Sequence, residues 1–180
     1  GLDLVTKNKG YQNTIGNVGN SYIGSGALNS ISGPADQSFI GGGQCNTISD
    51  FQSGIVSGFG NTISCFWTFI GGGCSNVASA IYATIVGGET NLASGQFSSI
   101  VNGQNNCALG VGSFIGAGTQ NTVCAIAQQG TITGGSQNMI CNELGFIGGG
   151  GVNRVNGTYG IVVGGQGNTS CQYAFIGGGI

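Results

Sequence analysis

Asparagine returns along this chain at a nearly fixed interval: Asn13, Asn29, Asn46, Asn61, Asn76, Asn91, Asn106, Asn121, Asn138, Asn153 and Asn168. Most intervals are 15 residues, one is 16 and two are 17. Other columns keep step with it. Ile or Val lies six residues before each Asn from Asn29 on, beginning Ile23, Ile40, Ile55, Ile70. Gly lies three residues before each of the same Asn, beginning Gly26, Gly43, Gly58, Gly73. Two residues after each Asn comes a small or apolar residue, from Ile15 and Ile31 through Ala78, Ala93 and Ala108 to Val155 and Ser170. Self-similarity at one period is the signature of a repeat architecture and takes precedence over any local propensity.

A 15-residue unit is too short for a helix pair or a propeller blade, but it fits one coil of a β-solenoid with two short strands and two corners. The pattern therefore predicts an all-β fold, a single parallel β-solenoid of about twelve 15-residue coils. The first strand is centred on the Ile of segments such as Phe39-Ile40-Gly41, the second on Asn46-Thr47-Ile48-Ser49. With parallel strands about 4.8 Å apart, the rod is roughly 55–60 Å long. One domain spans 1–180, with the array over about 13–180 and a lead-in coil over 1–12. Every longer interval arises between the second strand and the next first strand, near 17–20, 33–37 and 125–130. The span from Gly to Asn never changes length. One corner is free to bulge into solvent and the other is locked, as solenoid insertions require.

Each column then acquires a role. The Ile column points inward. The corner glycines, Gly43, Gly73 and Gly150 among them, turn the chain where φ is positive or a Cβ has no room. The corner asparagines, Asn46, Asn76 and Asn153 among them, form a side-chain amide ladder from coil to coil. The positions flanking each core Ile point away from the solenoid's own core. There an aromatic is always followed two residues later by Gly (Tyr22/Gly24, Phe39/Gly41, Phe69/Gly71, Phe114/Gly116, Phe146/Gly148, Phe175/Gly177), and a non-aromatic by Val or Thr. Such volume compensation belongs to close packing. It predicts that Phe39, Phe69, Phe114, Phe146 and Phe175 form a face that packs against copies of the same chain, most simply in a parallel homotrimer.

The chemistry of the side chains excludes more than it offers. Gly supplies 40 of the 180 residues and charged residues 4%, and there is no His. That removes His-based triads, His metal sites and most general-base schemes. The acids are Asp3, Asp36, Asp50, Glu89 and Glu143, and no two share a column, so neither a carboxylate pair nor a Ca²⁺ loop forms. They read as solvated corner charges. The chain is read as not an enzyme, with no cofactor and no metal. Lys7, Lys9 and Arg154 are the only cations and net charge is −2, which argues against a nucleic-acid partner. No apolar run reaches the roughly 18 residues of a membrane span. The chain does not open on Met, which reads as a fragment or processed product. Sequons stand at Asn156 and Asn168, the second within the Asn ladder. Seven Cys occur without a C-x-x-C pair and read as free or partly oxidised thiols; Cys124 and Cys141 fall in adjacent coils, close enough to permit a disulfide. Leu92, Met139 and Arg154 interrupt the hydroxyl column that follows Asn, which argues against an ice-binding array.

The segments Ser38–Ser49 (SFIGGGQCNTIS), Thr68–Ser79 (TFIGGGCSNVAS) and Ser98–Leu109 (SSIVNGQNNCAL) resemble the head repeats of trimeric autotransporter adhesins. They are also similar to the GGGxxNTxS arrays of phage and large-virus fibre proteins. The resemblance covers about residues 13–180. It implies a left-handed β-roll, a homotrimer and a structural role in attachment, as the head or shaft of a surface fibre. It further implies neighbouring fibre or virion proteins and a host-surface receptor as partners, at the extracellular surface or on a virion. The adhesin-head pattern survives only in its Ile and corner Gly, and no heptad stalk, membrane anchor or chaperone domain lies in these residues. The competing reading is a ligand-binding solenoid, such as an ice- or glycan-binding protein.

Overall fold

A computed structural model describes residues 7–8, 10–16 and 18–179. Most of the expected lead-in over 1–12 lies outside the described residues. Those described form an all-β solenoid of about 11 turns, with no helix. Its 23 strands, β1 (Lys7–Asn8) to β23 (Phe175–Ile176), are two residues long. The odd-numbered strands build one 12-stranded sheet and the even-numbered strands one 11-stranded sheet, each strand pairing in parallel with its counterpart in the next coil. The register is the sequence repeat itself: Ile40 pairs with Ile55 and Ile55 with Ile70. A third ladder runs beside the sheets, made of single parallel bridges such as Gln44 to Phe59 and Phe59 to Cys74. It has no side-chain signature, which is why two strands per coil were expected and three contacts are found.

The core is two facing ladders. Ile23, Ile40, Ile55, Ile70 and their successors are fully buried, as are Ile31, Ile48, Ile63, Ala78 and theirs. One coil alone could not bury such residues, whereas stacked coils share one continuous core.

The corners explain the glycines. Gly43 has φ +94°, and a Cβ there would lie 2.1 Å from Gly58 O; Gly73 and Gly150 are held in the same way, with φ +96° and +83°. The residue just before each Asn also has positive φ, whatever its type: Leu28, Cys45, Ser75, Thr90 and Val152 are examples. Bulky or branched residues seldom tolerate this region. The left-handed turn has a purpose in the hydrogen-bond pattern. Strand N–H groups donate to the following coil, as Phe39 N does to Ser53 O, but Cys45 N donates back to Ala27 O. The left-handed residue reverses the N–H and ties its coil to both neighbours. The second corner repeats the device at Gln37, Gln52, Trp67, Phe97 and Gln129, and Tyr82 shares their backbone angle.

Candidate functional site

The corner asparagines are committed to the fold. Asn46 Nδ2 lies 3.0 Å from Asn29 Oδ1, 3.2 Å from Gly42 O and 2.9 Å from Gly58 O. Its Oδ1 accepts from both Asn61 N and Asn61 Nδ2. Asn76 and Asn153 make the corresponding bonds to the corner carbonyls Gly88 O and Gly165 O. These amides are buried with every donor used, so the column offers nothing to a ligand. The sequon residue Asn168 is engaged in the same manner, while Asn156 is exposed.

The Phe column lies on the outer face of the odd-numbered sheet. Phe39, Phe69 and Phe114 are 36–41% exposed in the single chain, Phe175 is 70% exposed, and Phe146 is half-buried. Val56, Val86, Val101 and Val163 lie exposed in the coils between them, which gives an apolar strip along the rod. Close packing inside the chain also bears on the aromatic–Gly pairing. A Cβ on Gly41, Gly71, Gly116 or Gly148 would lie 2.4 Å from a carbonyl oxygen of the next coil. The ring also leans over its glycine, with Phe114 Cε1 3.5 Å from where a Gly116 Cβ would be and Phe146 Cε1 3.4 Å from that of Gly148. The outer surface of the rings remains open in the single chain.

A second surface escaped the sequence reading. On the insertion-bearing corner, Phe51 and Phe66 stack at 4.9 Å and 2°, Trp67 and Tyr82 at 4.9 Å and 13°, and Tyr82 and Phe97 at 5.0 Å and 5°. Phe66 meets Trp67 edge-on at 81°. Trp67, Tyr82 and Phe97 are 43–53% exposed although they sit at positive φ. The signal was available: these residues fall three before the core Ile of their coils. The same position holds Gln37 and Gln52 in earlier coils, and Gln52 Nε2 donates to Gln37 Oε1 at 2.8 Å while Trp67 Nε1 donates to Gln52 Oε1. Two open clefts flank this amide pair. One, of about 330 Å³, is lined by Pro34, Asp36, Gln37, Phe51 and Gln52. The other, of about 310 Å³, lies between the amides and the Phe39–Phe69 strip.

The cysteines are free thiols, and Cys124 Sγ–H donates to Cys141 Sγ at 3.6 Å. Burial, with help from Cys141, pushes the Cys124 thiol up to about 11 against the lowering pull of Arg154. Burial also raises Cys107. Among the described residues no three of Cys, Asp and Glu come together as a metal site, and no helix is long and apolar enough to cross a membrane. Comparison with protein-family models gives no match, and comparison with curated proteins gives none either.

Proposed function

We propose that this chain is a non-enzymatic structural segment of a trimeric surface fibre, a virus or phage fibre or an adhesin head or shaft, that serves attachment. Its partners are two further copies of itself, adjoining fibre or virion proteins and a receptor on the host surface. The observation that supports this is the strip of exposed Phe and Val on the odd-numbered sheet, which runs from Phe39 to Phe114 and resumes, past Thr131 and Thr133, at Phe146. Large apolar patches on a surface mark contact sites, because soluble monomers ordinarily keep them small. Three rods packed strip to strip bury this one, and the half-covered rings supply the aromatic anchors that dominate interfaces.

Sedimentation equilibrium tests the reading. The expected mass is three times the 17.8 kDa of one chain, and Phe69→Asp or Phe114→Asp, placed in mid-strip, gives a folded chain of single mass. A wild-type chain that is folded and monomeric at micromolar concentration overturns it.

A further inference from the structure

We infer that the cleft of about 330 Å³ at the insertion around Pro34 is a binding subsite for one neutral, hydroxyl-rich sugar ring. It goes beyond the fibre reading and does not rest on it, because the cleft is complete within one chain and faces the corner rather than the Phe strip.

The cleft exists because the interval from Asn29 to Asn46 is 17 residues rather than 15, which makes the coil bulge at Pro34. Its walls carry three kinds of group. Phe51 supplies an apolar ring face: Phe66 stacks on one side of it and stays outside the cleft, leaving the other side free. Asp36 supplies an acceptor. Its Oδ1 takes Gly19 N–H at 2.7 Å, which fixes the carboxylate, and among the described residues no donor meets Oδ2. Gln37 supplies a donor. In the relay from Trp67 Nε1 to Gln52 Oε1 and from Gln52 Nε2 to Gln37 Oε1, every bond points the same way. Among the described residues no acceptor meets the terminal Gln37 Nε2. The relay orients that amide. An oriented donor beside an oriented acceptor, next to an apolar ring, matches adjacent hydroxyls on a pyranose whose C–H face lies on Phe51.

The alternatives fit less well. An anionic ligand meets Asp36 and no cation lines the cleft. A quaternary ammonium needs several ring faces turned on one point, and only Phe51 turns a face here. At about 330 Å³ the space is at the small end of ligand sites, enough for a single ring.

Trp67 is the only tryptophan and donates to a wall residue, so its fluorescence reports occupancy. The full chain is titrated with cellotriose, mannotriose, maltotriose and triacetylchitotriose, with 3′-sialyllactose and tetramethylammonium as comparators. At least one neutral trisaccharide is expected to give a saturable change in the millimolar range. The same sugar shifts the side-chain amide NMR signals of Gln37 and Gln52 but not those of Gln120 and Gln137, an amide pair elsewhere on the rod that lacks a ring. Asp36→Asn keeps the bond to Gly19 and Gln37→Asn tolerates positive φ, so both fold; each weakens binding about tenfold. The inference falls if no neutral trisaccharide saturates, if sialyllactose or tetramethylammonium binds instead, or if both variants bind like wild type. Sedimentation of the same samples reports self-association separately, so either result can fail alone.

Discussion

At the Gly–Asn corner one residue type closes every coil; at the opposite corner the chemistry changes halfway along the rod. In the first coils a buried hydroxyl does the work. Ser38 N donates to Ser21 Oγ, Ser53 N to Ser38 Oγ and Thr68 N to Ser53 Oγ, and each hydroxyl donates onward to a carbonyl of the next coil. From Ala83 on the column becomes Ala, Ser or Gly, and the N–H turns back within its own coil, as Ser98 N does to Gly95 O and Ser113 N to Gly110 O. Ser98 Oγ and Ser113 Oγ are left buried without a partner among the described residues. The difference lies in valence. An Asn amide accepts twice and donates twice, so it can serve its own coil and both neighbours. A hydroxyl has one proton, and a local turn can replace it. Only the first kind of corner forbids a change of length.

The sharpest way to break this contrast is to lengthen both corners. Two residues inserted between Gly88 and Asn91 displace the amide from the ladder, and the expected result is loss of the cooperative thermal transition. The same pair inserted after Gln96 costs about 1 kcal/mol, since loop closure grows slowly with length. Point changes come next. Gly73→Ala drives a Cβ to 2.0 Å from Gly88 O, and a loss above about 4 kcal/mol is expected in denaturant unfolding. Asn76→Ala strands Asn91 N–H and leaves Gly88 O with the Cys74 N–H alone, for about 3 kcal/mol. A smaller pair of variants isolates the hydroxyl column. Ser53→Ala leaves Thr68 N–H and Cys65 O unpaired and lowers stability by about 1–2 kcal/mol, whereas Ser113→Ala removes an orphan and is neutral or stabilising by up to about 1 kcal/mol. Equal effects at the two serines would erase the distinction.

The smallest effect concerns Cys124. Its thiol is raised from an ordinary 9.0 to about 11, and the thiolate is the reactive form. Folding therefore favours the protonated thiol. That contribution is complete below pH 9 and is lost as pH climbs through about 11. Disulfide-exchange labelling followed by peptide mapping should find Cys124 slower than exposed Cys171 at pH 8, with the gap closing toward pH 11.

The parts of this fold that were legible in the sequence are those imposed on every coil by a side chain. Ile40 and its equivalents must fill the core, Gly43 and its equivalents cannot carry a Cβ, and Asn46 alone has the needed valence. The left-handed positions were illegible because Gln52, Trp67, Phe97 and Leu144 share a backbone angle and no side-chain property. The hydroxyl column escaped for a related reason: it stops after Thr68, and half a column does not register as a period. The cleft beside Gln37 was visible only as a spacing of 17, which marks where the coil bulges but not what lines the bulge.

The ladders also have a mechanical meaning. Bonds between coils point along the long axis, so tension on the rod's two ends loads the coils in series. Each coil occupies about 4.8 Å of the rod yet holds 15 residues, which extend to about 50 Å when pulled out. A coil that lets go lengthens the rod about tenfold over its own height and relieves the load on the others, and the Asn corner of its neighbour is the template on which it rewinds.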